Sequence, residues 1–586
     1  MSHDSVYDSA PWTRHYKAGL DPNLATPHKN LVELLTASAQ TYPNQIAFTT
    51  VVPNGMSGSL RFRQLEEMSD AFAVYLREVL GLARGACVAV QMPNCLTYPV
   101  AALGILKAGC VLVNVNPLYT EREMEHQLND AGAEAIVIID MFTDKLAHIL
   151  PRTQLKHVVV TSLAQWFPAV VRVVLKTILK YWSRVVPKRT LAADTMDAAL
   201  ARGRRARKER NLEVRNYWSG LGRGDTCALQ YTGGTTGISK GAVLSHGNLL
   251  ANIVQLERMA GEHFVAGKEC ILTVLPLYHI FAFTLNFLFA YVRGARNILV
   301  PNPRPVVNCQ RAIENYRISW IAGVNTFYNA LLNEEWFSVY PPKTLKVAVA
   351  GGAALHHAVA ERWEKITGNH IAEGYGLTET SPVIAFNPIG DKSTPGSIGI
   401  PVPGTGVRIV DDRGRSVAPG EHGEIAVRGE QVMQQYWNRP DETAKAIRDG
   451  WFHTGDVAFM DEHFYFRIVD RKKDMILVSG FNVYPNEVED CIARMQQVLE
   501  AAVIGVPDEH SGEAVCAYVV RRDPALTVEA VREFCRGQLA PYKVPKHVEF
   551  RQELPKTPVG KVLRKELRAE AAARAPAARD LKSDAA

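Results

Sequence analysis

The stretch from Tyr231 to Gly241, YTGGTTGISKG, gathers four glycines, three threonines and one lysine in eleven residues. Glycines let successive backbone N–H groups turn toward a single anion, threonine hydroxyls add donors, and Lys240 adds a positive charge. The stretch therefore reads as a phosphate-holding loop, with Tyr231, Thr232, Gly233, Gly234, Thr235, Thr236, Gly237, Lys240 and Gly241 as its candidate members. Apolar residues lead in from Cys227 and out from Ala242, so the loop is expected to join two strands. A Walker A loop would need Gly-Lys-Ser/Thr opening a helix, whereas Ser239 precedes Lys240 here and Gly241 follows it, which disfavours a P-loop kinase or ATPase. An ordinary Gly/Thr hairpin would need neither the paired threonines nor the lysine.

Four further stretches could face a ligand. In EGYGLTETSP, from Glu373 to Pro382, an aromatic between two glycines can stack on a purine, and a hydroxyl beside a carboxylate suits a hydrated magnesium on phosphates. Read alone, the same residues also describe a glycine-bounded surface loop. Gly351 and Gly352, after the apolar run Val347 to Ala350, allow close backbone approach by a flat ligand. Asp456 in DGWFHTGDVA can accept hydrogen bonds from both hydroxyls of a ribose. PLYHIF puts Tyr278, His279 and Phe281 at a strand's end, where open parallel sheets hold ligands, although a lone histidine in an apolar setting is also a common structural residue. Near the end, Lys561 follows Gly560 in an exposed-looking Pro/Gly loop and by itself reads as a surface lysine.

Taken together, YTGGTTGISKGAVLSH, PLYHIF, GGAAL, EGYGLTETSP, DGWFHTGDVA, RIVDRKKDMILVSGFNVYPNEVE and LPKTPVGKVLRKEL resemble the motifs of the adenylate-forming, acyl-activating enzymes, in the family's order from about residue 30 to 570. Within that group the chain is most similar to bacterial long-chain fatty acid–CoA ligases. The resemblance implies that ATP and a fatty acid give acyl-AMP and pyrophosphate, and that CoA then takes the acyl group. It implies adenine beside Gly352, Ala353, Tyr375 and Gly376, the α-phosphate at Thr378, Mg²⁺ at Glu379, ribose at Asp456 and Arg471, and catalysis by Lys561 with Thr378 and Glu379. It further implies an acyl pocket lined by Tyr278, His279 and Phe281, a hinge at Lys473, and a pantetheine tunnel near Gly480 and Phe481. One departure stands out: Phe464 occupies a turn position where the family commonly has glycine. Other carboxylate specificities, medium-chain or aryl, an enzyme that stops at acyl-AMP, and a catalytically silent nucleotide- or lipid-binding protein remain as alternatives.

The elements that must position these residues follow from periodicity. With 586 residues, 47% of them hydrophobic, the chain exceeds one ordinary core. The expected fold class is α/β: a large N-terminal domain with parallel and mixed sheets and helices over 1–472, a small mobile α+β domain over 473–570, and a disordered tail over 571–586. Leu65, Met68, Phe72, Leu76 and Val79 recur as on one helix face. After them, 87–92, 110–115 and 135–139 read as strands alternating with helices over 96–107 and 121–131, which is the pattern of a parallel sheet. In the small domain, 485–498 and 528–539 read as helices and 502–506, 515–520 and 548–550 as strands.

Nine scattered cysteines without a CxxC pair fit a reducing cytosol and argue against structural zinc. The net charge of +6 is interspersed and does not point to nucleic acid. No signal peptide or membrane-spanning run is present, so a cytoplasmic protein is expected, with the oligomeric state open and a homodimer allowed. The exception to the even charge is Trp166 to Lys188, where Arg172, Lys176, Lys180, Arg184 and Lys188 fall at every fourth position with no acidic residue between Ser162 and Thr190. One helix through them would pair a basic stripe with a broad apolar face. That pattern suits a peripheral contact with the cytoplasmic face of the inner membrane, and equally a surface helix with solvated lysines. A second basic run, RGRRARKER from Arg202, follows.

Overall fold

The computed structural model describes residues 3–17, 20, 24–187, 191–232, 239–390 and 394–574. Among them, two large sheets form most of the N-terminal part. One has seven strands, with Cys87–Gln91, Val111–Asn114, Ala135–Ile139, His157–Thr161 and Thr226–Thr232 running parallel and Lys240–Ser245 antiparallel at its edge. The other has nine strands, whose centre is the parallel set Cys270–Thr273, Arg296–Leu299, Trp320–Gly323, Val347–Ala350 and Ile371–Gly376.

Both sheets are covered on both faces, which is why their strands read as continuous apolar runs. In the first sheet Val88 and Val90 point into the central core while Cys87 and Ala89 point into an outer one. In the second, Trp320, Ala322, Val347 and Val349 face the same central core, and Ile321, Ala348 and Ala350 face away. Helices Phe62–Val74, Thr97–Lys107 and His246–Ala260 and the π-helical stretch Phe283–Phe289 contribute to that shared core. The helix expected from Leu65 to Val79 is present, with its last turn, Tyr75–Val79, widened to π geometry.

A five-stranded antiparallel sheet, Gly406–Val410, Gly423–Arg428, Ile447–Arg448, Trp451–Met460 and Phe466–Arg471, completes the large part. Phe464 lies in the turn between its last two strands and takes the left-handed conformation at φ 67°, with its N–H bonded to Asp461 O at 2.9 Å. The turn forms without glycine, and the guanidinium of Arg14 lies 4.2 Å over the Phe464 ring. The small domain packs Pro485–Ala493 and Val528–Arg536 on a second five-stranded sheet built around Val498–Asp508 and Gly512–Arg521. The helix Arg564–Arg574 carries described chain past Glu570, and Ala571 packs into a small core there. Residues 575–586 lie outside the described residues.

The basic segment is helical over a shorter range than its charge spacing suggests. An α-helix spans Ala169–Thr177 and continues as a π turn to Trp182. Arg184 then takes a φ of 53°, which takes it off the helix, and Lys188 lies outside the described residues. Only Leu175 is fully buried on this helix, whereas Val170, Tyr181 and Trp182 are 77%, 68% and 88% exposed. No helix among the described residues is long and apolar enough to cross a membrane.

Candidate active site

The strands Thr226–Thr232 and Lys240–Ser245 pair antiparallel up to Thr232↔Lys240, so the glycine- and threonine-rich stretch does join two strands. Gly233, Gly234, Thr235, Thr236 and Gly237 lie outside the described residues. Tyr231 is buried, its hydroxyl donating to Asp130 Oδ2 at 2.7 Å. A Cβ on Gly241 would sit 3.1 Å from the Tyr231 ring, so the glycine makes room for it. Asp130 also pairs with Arg439 at 2.7 Å, so Tyr231 and Arg439 share one carboxylate. Lys240 Nζ lies 2.5 Å from Glu442 Oε2 and 5.0 Å from the centre of the Tyr436 ring.

The strand Ile371–Gly376 turns back antiparallel into Val383–Phe386. A Cβ on Gly376 would lie 1.9 Å from the carbonyl oxygen of Pro382, so only glycine fits this crossing. Beyond it, the 3₁₀ turn Thr378–Thr380 presents Glu379, which is buried. Its Oε1 accepts from the Tyr436 hydroxyl at 2.6 Å, and its carbonyl from Met433 N at 2.7 Å. Tyr375 donates its hydroxyl to Asp456 Oδ2 at 2.6 Å, and Arg471 Nε lies 3.0 Å from Asp456 Oδ1. Asp456 and Arg471 face one another across adjacent strands, and Asp456 is 4% exposed. A buried carboxylate with a guanidinium and a phenol on its two oxygens is held in one rotamer. Gly351 lets its strand approach the Phe281 ring and Gly374 O, where a Cβ would meet them at 3.2 and 3.0 Å. Gly352 follows at φ 77° with open space around its Cβ position, and Ala353 continues that turn.

The PLYHIF stretch lies directly after the strand Cys270–Thr273. Three buried polar side chains, Asn94, Tyr98 and Gln230, pin it, with Asn114 holding Tyr98, and none was picked out in the sequence. Asn94 Oδ1 accepts from Leu277 N at 2.8 Å; the Tyr98 hydroxyl is 2.8 Å from both Asn114 Oδ1 and Leu277 O; and Gln230 Nε2 donates to Tyr278 O at 2.6 Å. For Asn114 and Gln230 a signal was available, since each is an amide within a buried apolar strand and must find a partner or cost stability; Asn94 and Tyr98 lie outside strands and carried none. His279 accepts weakly from Phe281 N at 3.4 Å. Burial, reinforced by the charge of Lys561, pulls the His279 imidazole down to about 4, so the ring is neutral at physiological pH.

Lys561 therefore sits near His279. Thr326 Oγ1 donates to Gly560 O at 3.0 Å, Arg304 Nη2 to Thr557 O at 3.0 Å and also to Pro558 O, and Asn329 Nδ2 to Leu499 O at 2.9 Å. These bonds dock the small domain on the large one. Within the loop, Thr557 N donates to Lys561 O at 2.7 Å and Lys561 N to Thr557 Oγ1 at 3.1 Å. Burial, and then the charge of Arg471, pushes the Lys561 ammonium down to about 8, while Asp456 opposes the shift. Lys561, Arg471, Asp456, Tyr375 and Glu379 thus share one electrostatic neighbourhood.

Behind Lys561, Arg564 is clamped by Asn486, Glu489 and Asp470 at 2.7, 2.8 and 3.1 Å, tying the last helix to the chain on either side of Lys473. Burial and the nearby Arg471 lower the Lys473 ammonium's pKa. Gly480 and Phe481 lie on a hairpin facing solvent, Gly480 at φ 85° and Phe481 stacked on Tyr542 at 4.7 Å, apart from this cluster.

This convergence of a buried carboxylate–guanidinium pair and a docked lysine agrees with the family comparison. Residues 35–437 match the AMP-binding enzyme model and residues 487–561 match the AMP-binding enzyme C-terminal domain. The chain belongs to the AMP-binding enzyme family. It is 48% identical to a long-chain-fatty-acid–CoA ligase of Salmonella typhimurium over 562 residues, covering 96% of this chain and 98% of the relative. A protein of the same name from Haemophilus influenzae is 44% identical, over 96% and 99% of the two chains. Among solved structures, the anthranilate CoA ligase AuaEII in complex with anthranoyl-AMP superposes with a TM-score of 0.81 at 26% identity, covering 94% of this chain and 99% of that one. The adenylate-forming resemblance and the α/β fold with a smaller C-terminal domain are borne out by these matches.

Proposed function

We propose that this AMP-binding enzyme is a long-chain fatty acid–CoA ligase, acting by adenylation and then thioesterification. The observation that carries the reading is the docking of Lys561 beside Asp456, Arg471 and His279, since nucleotide binding alone would not require a lysine delivered from a second domain. Nearly full-length likeness to long-chain-fatty-acid–CoA ligases supports the acyl class.

In the first step a carboxylate oxygen of the fatty acid attacks the α-phosphorus of ATP, the bond to the bridging oxygen breaks, and pyrophosphate leaves with that electron pair. The chain's part is orientation and charge. Asp456 and Arg471 hold the ribose, Tyr375 and the open turn at Gly352 and Ala353 receive adenine, and Gly376 lets the backbone pass close beneath. The glycine- and threonine-rich loop with Lys240 holds the outer phosphates, and Thr378 contacts the α-phosphate. Lys561, about nine-tenths protonated at pH 7 with its pKa near 8, bridges the reacting oxygens. His279, neutral, lines the acyl pocket with Tyr278 and Phe281 and takes no proton.

Glu379 fits a magnesium ion, because it is a hard oxygen donor, buried, with Tyr436 holding one of its two oxygens. A magnesium ion bound there supplies charge neutralisation on the phosphate oxygens. In the second step the CoA thiol, its proton lost to solvent, attacks the acyl carbonyl, the bond from that carbon to the phosphate oxygen breaks, and AMP departs with the electron pair. Rotation of residues 473–570 about Lys473 would withdraw Lys561 and bring Gly480 and Phe481 to the site, consistent with their solvent-facing position in the present arrangement.

The deciding experiment is fatty-acid-dependent release of AMP and pyrophosphate from ATP, with and without CoA, across chain lengths. A long-chain optimum with thioester formed is the expected result; pyrophosphate without thioester, a short or aryl optimum, or no turnover would each replace the reading.

The exposed apolar and basic helix Ala169–Thr177, with its extension to Trp182, favours a second element of the reading, peripheral contact with an anionic lipid surface. Val170, Tyr181 and Trp182 are free to enter the headgroup region, and Arg172, Lys176 and Lys180 lie beside them. A substrate that partitions into lipid makes such a contact useful.

A further inference from the structure

The segment YWNRPDET begins at Tyr436, whose bond to Glu379 is one of several contacts that it makes within the site. Tyr436 is buried, its hydroxyl donates to Glu379 Oε1 at 2.6 Å, and Lys240 Nζ lies 5.0 Å over its ring. Lys240 in turn is 2.5 Å from Glu442, six residues further along the same segment and on the helix Pro440–Ala446. The backbone is equally committed. Trp437 N donates to Gly241 O at 2.7 Å and Val243 N to Gln435 O at 3.0 Å, so the segment runs as an extra edge beside the strand leaving the phosphate loop. Thr443 Oγ1 accepts from Tyr436 N at 2.9 Å, and Met433 N donates to Glu379 O at 2.7 Å.

One side chain therefore touches both groups that would hold the polyphosphate and its metal. A phenol donating to a carboxylate oxygen fixes which oxygen remains for a cation, and an aromatic face seats an ammonium without neutralising it. We propose that Tyr436 is a positioning residue that orients Glu379 toward magnesium and keeps Lys240 in line with the outer phosphates. Glu442 is the anion paired with Lys240. This inference rests on the reading of Glu379 as the magnesium carboxylate.

The test uses the full chain, the single variants Tyr436→Phe and Glu379→Gln and their combination, with calorimetric ATP binding at graded Mg²⁺ and in EDTA. Removing the hydroxyl leaves ring and packing in place, so ATP binding in EDTA and the melting temperature stay near wild type. The Mg²⁺ needed for half-maximal tightening rises about tenfold, the effect of one lost hydrogen bond to a charged group. The combined variant is expected to be no worse than Glu379→Gln alone, because Tyr436 acts through Glu379. A twofold or smaller shift for Tyr436→Phe, with a large one for Glu379→Gln, overturns the positioning role alone. No shift for either variant overturns it together with the assignment of Glu379.

Discussion

Thr326 Oγ1 donates to the carbonyl oxygen of Gly560 at 3.0 Å, one residue before Lys561, so a threonine of the large domain fixes where the small domain's lysine enters the site. A Cβ on Gly560 would fall 2.7 Å from Thr326 Oγ1 and 3.1 Å from Val324 Cγ2, at a φ of 92° that already disfavours any other residue. Gly560→Ala is therefore expected to hold the loop off its seat. Acyl-AMP formation should fall by about a hundredfold, the scale on which a misplacement near 1 Å acts. Thioester formation from synthetic acyl-AMP should survive within a few-fold; equal loss of both half-reactions contradicts the docking role.

The role proposed for Lys561 predicts a pH dependence of definite sign for the adenylation step. Burial and Arg471 disfavour its charged form and bring its pKa down to about 8. Only the protonated form bridges reacting oxygens, so the rate is full below pH 8 and falls above it by about tenfold per unit. The measurement is kcat/KM for ATP in pyrophosphate release between pH 6.5 and about 9.5. Lys561→Ala should lower the whole profile and abolish the alkaline fall; a wild-type profile that stays flat through pH 9 sinks the assignment.

Gly376 crosses Pro382 O with no space for a methyl, the ideal Cβ lying 1.9 Å away. Gly376→Ala must move either the strand Ile371–Gly376 or the return strand, and both Tyr375 and Glu379 move with it. A loss of about 1–3 kcal/mol in stability is expected from such overpacking, together with loss of ATP binding. Thermal melting and nucleotide titration read the two effects separately, and unchanged nucleotide affinity would show that the crossing does not position the site.

For the helix Ala169–Thr177 and its extension, Lys176→Glu with Lys180→Glu reverses two charges on a surface that makes few internal contacts. Binding to vesicles of mixed neutral and anionic phospholipid should weaken by at least about tenfold at low salt, given about 1 kcal/mol per basic residue near the surface. Trp182→Ser should weaken binding to neutral vesicles as well. Co-sedimentation unchanged in both variants would identify an ordinary solvated helix.

Much of the fold is legible because the sheets are buried on both faces. Cys87–Gln91, Ala135–Ile139 and Val347–Ala350 read as short apolar runs and appear as strands with little shift in their ends. The basic segment was harder to bound, because charge periodicity continues to Lys188 while the backbone leaves the helix after Trp182. Phe464 misled in the other direction: a glycine-like turn persists with a phenylalanine at φ 67°, its ring covered by Arg14 from the far N-terminus. No local pattern announces that partner.

By itself the sequence determined the residue types on offer: a glycine- and threonine-rich stretch that reads as a phosphate loop, an aspartate proposed for ribose, a lysine in a Pro/Gly loop, and their order along the chain. Those depend on residue type and local spacing, which the linear chain carries in full. Tertiary structure alone decided that Tyr375 and Arg471 share Asp456, that Tyr436 holds Glu379, and that Thr326 seats the loop of Lys561. Each of these joins side chains from distant strands or separate domains, and such contacts are set by sheet register and domain docking rather than by any local periodicity.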